Sequence, residues 1–172
     1  MADSAKVEGF DIVIKNLNIE ILAIKNRTLK GLIKGAALVR NETETGEART
    51  PVDLGNLRAS WFVVTAKSIP VGKGVARFNG PKIAKLLNDH VSTIQEAQAI
   101  IRAAGKENVF IMMGYTANYA VYVHEMVGAN FKRKGKGKSK GKDATYKWLQ
   151  RAFVKHKDNI VVIVRDNARI KR

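Results

Sequence analysis

Thr50-Pro51-Val52-Asp53-Leu54-Gly55-Asn56-Leu57-Arg58-Ala59-Ser60-Trp61 divides a long helical pattern from β-rich sequence, and its reading decides the fold. Pro51 has no amide hydrogen and pushes Thr50 toward extended geometry, so the helix before it must stop. Asp53 can accept a hydrogen bond from an amide two residues on, and Gly55 can take a positive φ, which together make turn chemistry. Asn56 to Trp61 then lead the chain into Phe62-Val63-Val64. On turn chemistry alone the stretch is a helix-to-strand connector.

Upstream, residues 8 to 47 read as a short helix followed by a long one. Phe10, Ile14, Leu17, Ile21 and Ile24 recur at spacings of three and four, and Leu29, Leu32, Ile33, Ala36 and Ala37 continue the face. Asn18 and Asn26 leave room for a break, and Glu42-Thr43-Glu44-Thr45-Gly46 has the polarity and glycine of a frayed helix end.

Downstream, residues 60–66 and 74–79 read as two strands joined by Ser68-Ile69-Pro70-Val71-Gly72-Lys73, a hairpin-type link. Pro81 opens a helix in which Ile83, Leu87, His90, Ile94, Ala97 and Ile101 form a stripe that Ala103-Ala104-Gly105 closes. His90 on that stripe suits a half-buried, hydrogen-bonded histidine. Residues 108–115 and 118–125 read as two further strands, with Tyr119, Val121 and Val123 facing one way and Ala120, Tyr122 and His124 the other. Part of the second also suits the start of a helix, because the two periods are hard to separate over so short a run. Asp143 can cap a helix with Tyr146, Leu149, Ala152 and Phe153 on its apolar face, and residues 159–166 favour helix over strand. The expected architecture is one α+β domain over residues 1–172: long N-terminal helices on a mainly antiparallel sheet of about four strands, a helical insertion at 81–105 and C-terminal helices.

The net charge of +16 is unevenly spread. Residues 1–130 hold 16 Lys/Arg against 12 Asp/Glu, and residues 131–172 hold 15 against 3. Much of that excess sits in a Lys/Gly-rich loop, 132–142, whose Lys132, Arg133, Lys134, Lys136, Lys138, Lys140 and Lys142 repel one another. Without interleaved aromatics, any nucleic-acid contact there would be with backbone phosphates.

Catalytic signatures are missing from the sequence. His124-Glu125 begins like a zinc-protease helix, but that site needs a second histidine four residues after the first, and Gly128 stands there. Neither a P-loop, a dinucleotide fingerprint, a nucleophile elbow nor a paired-carboxylate pattern is present. With no cysteine, thiolate metal sites and disulfides are excluded. No stretch approaches a membrane span, and the sequence predicts no cofactor, no metal and no catalytic residue.

Three stretches in register carry a family resemblance: Thr50 to Ser60; Gly114-Tyr115-Thr116-Ala117-Asn118-Tyr119-Ala120-Val121-Tyr122-Val123-His124-Glu125; and Lys147-Trp148-Leu149-Gln150-Arg151-Ala152-Phe153. They resemble the tail-completion or head-tail joining proteins of long-tailed bacteriophages, in which a "TPVDTG-LR-S" turn, a "Y-A-YVHE" strand and an "FLERA"-like helix follow a long N-terminal helix. Leu54 stands where threonine is common, and Lys147-Trp148-Leu149-Gln150 replaces "KFLE". The resemblance implies a non-enzymatic virion subunit of the phage neck, assembled as a hexameric ring between the capsid connector or stopper and the tail tube, and present in the host cytoplasm during assembly. It marks Thr50, Pro51, Asp53, Gly55, Leu57, Arg58 and Ser60 as the motif turn and Tyr119, Tyr122, His124 and Glu125 as a subunit-interface set. The basic loop would then meet packaged DNA or an acidic neighbouring ring. The alternative is a non-specific nucleic-acid-binding protein that uses the basic C-terminal region.

Overall fold

A computed structural model describes residues 10–52, 54–66, 76–104, 108–129, 131 and 144–170. Its elements run α1 (Phe10–Thr45), α2 (Asn56–Ala59), β1 (Trp61–Thr65), α3 (Ile83–Ala104), β2 (Ile111–Tyr115), α4 (Ala120–Glu125) and α5 (Trp148–Ala168).

The β1–β2 pair forms the middle layer. The strands are antiparallel with Val63 opposite Met113, so side chains alternate between two faces. Trp61, Val63, Met113 and Tyr115 point toward Ala36 and Val39 of α1 and Ala152 of α5. Phe62, Val64 and Met112 point the other way, onto Ile94, Ala97 and Ile101 of α3. Both faces are covered, which is why β1 is buried along its whole length and reads as a continuous apolar run.

α1 and α5 pack side by side and antiparallel. Arg27 reaches the Ala168 carbonyl (3.4 Å), Lys34 donates to Asn167 Oδ1 (2.8 Å), and Lys155 donates to Glu42 Oε1 (3.0 Å). Two glycines one turn apart set the spacing. A β-carbon on Gly31 would lie 2.8 Å from Val164 Cα, and one on Gly35 would lie 2.9 Å from Ile160 Cγ2. Only glycine lets the backbones approach this closely.

Several expectations are corrected. Among the described residues the sheet has two strands, not about four. Residues 118–125 hold α4 instead of a strand: Ala120 N–H bonds the Ala117 carbonyl at 2.8 Å and Val123 N–H the Tyr119 carbonyl at 3.1 Å. The alternating pattern was equally a helical one, with Ala120, Val123 and His124 on one side. The stretch 74–79 forms no strand over its described residues, 76–79, because the Asn79 backbone pairs with the Asn56 side chain; Gly74 and Val75 lie outside the described residues.

At each end of the chain, two expected helices are one. α1 is one helix of 36 residues; neither Asn18 nor Asn26 breaks it, since asparagine costs only a few tenths of a kcal/mol there. The two C-terminal helices are one, α5, which starts from Lys147 in the left-handed region (φ 51). Asp143, the expected cap, lies outside the described residues.

Candidate functional site

The three family-like stretches, far apart in sequence, meet at one end of the α1–α5 pair. Leu57 of the turn, Ala117 and Ala120 of the second stretch, and Trp148 of the third form one buried cluster. Backbone bonds fasten it: Thr116 N–H to the Ser60 carbonyl (2.9 Å), Lys147 N–H to the His124 carbonyl (2.7 Å) and Thr145 N–H to the Arg49 carbonyl (3.1 Å).

Tyr115 is the hub. Its hydroxyl donates to Thr43 Oγ1 (2.8 Å) and lies 3.1 Å from Thr50 Oγ1, linking α1 to the turn. Its ring meets Trp61 edge-on at 5.2 Å and Trp148 at 6.1 Å, and the His124 ring meets Trp148 at 4.8 Å. Such edge-to-face stacking contributes beyond burial alone. Burial pushes the Tyr115 phenol above its ordinary range, although its hydroxyl partners pull the other way.

The glycine of the turn takes the conformation its chemistry calls for. Gly55 has φ 83 and its carbonyl accepts from Ala59 N–H at 3.0 Å. Ser60 Oγ donates to the Leu57 carbonyl at 2.8 Å, and Arg58 reaches the Thr50 carbonyl at 3.4 Å. Asn56, which the sequence reading did not single out, clasps Asn79: its amide donates to the Asn79 carbonyl (2.9 Å) while its oxygen accepts from Asn79 N–H (2.7 Å). That clasp holds Phe78 buried beside His90, at 5.7 Å between rings. His90 is itself buried, with Nδ1 2.7 Å from Thr116 Oγ1.

The interface set divides into an inner and an outer half. His124 Nδ1 lies 2.7 Å from Glu125 Oε1, and Lys147 Nζ lies 3.7 Å from Glu125 Oε2. The His124 hydrogen bond, followed by the Lys147 charge, holds the exposed Glu125 carboxyl below its usual range. Tyr122 and its neighbour Val121 instead face outward, 71% and 74% exposed, and Tyr119 is 37% exposed. Beside them a cleft of about 580 Å³ opens between the turn, the start of α3 and α4; Pro51, Leu54, Leu86, Tyr119 and Val123 line it, with Lys82, Lys85 and Asp89.

A second polar centre was not legible in the sequence. Glu42, read there as part of a frayed end, is 7% exposed. Its carboxylate accepts from Lys155 (3.0 Å), Glu47 N–H (2.7 Å) and Ala48 N–H (3.2 Å), and His156 Nε2 lies 3.1 Å away. Burial alone would raise its pKa, but the His156 and Lys155 bonds and the two amides outweigh that and bring it down to about 2. No short-range motif marks this centre, because Glu42 and His156 lie 114 residues apart.

Asp53 and all seven basic residues of the loop, Lys132, Arg133, Lys134, Lys136, Lys138, Lys140 and Lys142, lie outside the described residues. Among the described residues no group of three His, Asp or Glu side chains could hold a metal ion, and no helix is long and apolar enough to cross a membrane. No protein-family model, curated protein or solved structure matches the chain.

Proposed function

We propose that the chain is a structural subunit of a long-tailed phage neck, completing the tail and joining it to the capsid connector as part of a ring around the DNA channel, without catalysis. The observation that carries this reading is the order of the three family-like stretches together with their meeting at one buried junction. A motif set kept for architecture should build a joint, and these residues are spent on packing and backbone fastening. The outward face of α4 lends further support, since Val121 and Tyr122 present adjacent apolar and aromatic surface that suits a neighbouring subunit.

In this reading the basic loop meets phosphate or an acidic neighbouring ring, and neutralising Lys134, Lys136, Lys138 and Lys140 weakens particle assembly or genome retention. The direct test is to remove the chain from phage-producing cells and image the lysate, then to label it in intact particles. Separate filled heads and unjoined tails, with label at the head-tail joint, are expected. Normal particles without the chain would overturn the reading. If the isolated chain then bound DNA with steep salt dependence, the non-specific nucleic-acid-binding alternative would replace it.

A further inference from the structure

The α1–α5 contact stops short. α5 ends at Ala168, whose carbonyl meets Arg27; before that point Ala23 to Asn26 are half-buried, and residues 11–22 of α1 are exposed apart from the half-buried Glu20. The stripe that α5 covers at Gly31, Gly35 and Glu42 continues backward at spacings of three and four through Ile24, Ile21, Leu17 and Ile14. Ile24 is half-buried, but beyond it the stripe is bare: Ile14 is 41% exposed, Leu17 59% and Ile21 42%. Ile12, Ile19 and Leu22 are exposed on the outer side of the helix, whereas Val13 flanks the stripe, and with it the stripe offers roughly 350 Å² of apolar surface, the size of patch that monomers use for contact.

Its charges suggest what covers it. With Ile14 and Ile21 at a positions and Leu17 and Ile24 at d positions of a heptad, Asp11, Asn18 and Lys25 all fall at e. When two such helices pair antiparallel, e faces e. A register placing Leu17 against Ile21 of the other copy and Ile14 against Ile24 brings Asp11 opposite Lys25, Asn18 opposite Asn18, and Lys25 opposite Asp11. On the other flank g faces g, so Glu20 lies opposite Glu20 of the other copy near the axis, each offset by Arg27 of its own chain at 2.8 Å. In this register the overlap runs from Asp11 to Arg27, roughly 25 Å at helical rise, and ends where α5 begins to cover α1.

We infer that the free chain forms a two-fold dimer through residues 11–27 of α1, each copy extending the line of the other's α5. The contact is isologous and self-closing. It does not depend on the neck reading, because it concerns the isolated chain.

The test uses the full chain, measured by light scattering across a concentration series. The expected mass at high concentration is twice the 19.0 kDa of the chain, and Leu17→Asp should reduce it to one chain with an unchanged circular dichroism spectrum, because Leu17 makes no part of the buried core. Asp11→Lys and Lys25→Asp should each weaken dimerisation at least several-fold, and the double swap should restore it. The chain has no cysteine, so Asn18→Cys should yield a disulfide-linked dimer under mild oxidation while Asp11→Cys alone should not. A single-chain mass throughout, an oligomer indifferent to Leu17→Asp, or cross-linking of Asp11→Cys but not Asn18→Cys would overturn the inference.

Discussion

Gly31 on α1 sits so close to Val164 on α5 that the missing side chain is part of the contact: a β-carbon there would meet Val164 Cα at 2.8 Å. The obstacle is backbone, which cannot swing aside as a side chain can.

Gly31→Ala should therefore destabilise the protein by about 1–3 kcal/mol, the overpacking cost exceeding the ~1 kcal/mol that alanine gains in helix propensity. At Gly35 the obstacle is Ile160 Cγ2, a side-chain atom at 2.9 Å that can move. Gly35→Ala should cost less than Gly31→Ala. Urea unfolding of the two variants checks the order.

Stability should fall on acidification as Glu42 titrates. The folded carboxyl is held at about 2 against an ordinary 4.5, so its contribution is complete above 4.5 and is lost as pH falls toward 2. The shift corresponds to about 3 kcal/mol at most. Glu42→Gln should lower stability at neutral pH by about 1–3 kcal/mol, since it removes the buried charge that Lys155 and His156 meet, while Lys155 keeps Glu47 at 3.4 Å. The gap to wild type should narrow as pH drops, which unfolding curves at several pH values will show.

Tyr115→Phe keeps the ring contacts with Trp61 and Trp148 and removes only the hydroxyl that joins Thr43 to Thr50. Both threonines are fully buried, but Thr43 still donates to the Arg40 carbonyl at 2.9 Å. The expected loss is about 1–1.5 kcal/mol, measurable as a lowered thermal midpoint without a change in near-ultraviolet dichroism from the tryptophans.

Asn56→Ala removes both bonds of the clasp on Asn79. Amide exchange at Asn79 should accelerate at least tenfold while exchange within β1 stays slow, because β1 pairs independently with β2. Equal acceleration at both would show that the clasp supports the whole core.

The two strands were legible one by one because residues 61–65 and 111–115 are apolar on both faces and bounded by turn residues, but their pairing was not, since 60–66 read as a hairpin with 74–79. The stretch 118–125 was not, since six residues fit either period and the outcome rests on Trp148, which comes from another part of the chain and packs against Ala120. Asparagine suggested breaks in α1 that its small helix cost does not impose. The turn around Gly55 followed from local chemistry, whereas Glu42 looked like a loose end: its partners, Lys155 and His156, become its neighbours only when two distant helices meet.

That meeting also has a timetable. Arg27 and Ala168 are 141 residues apart in the chain, so α1 leaves the ribosome long before its covering helix exists. Until then its greasy side stays uncovered, and closing so large a loop is intrinsically slow. Newborn chains should therefore depend on a holdase or on rapid synthesis to escape clumping, and slowing translation late in the message should lower soluble yield even though the finished protein is unchanged.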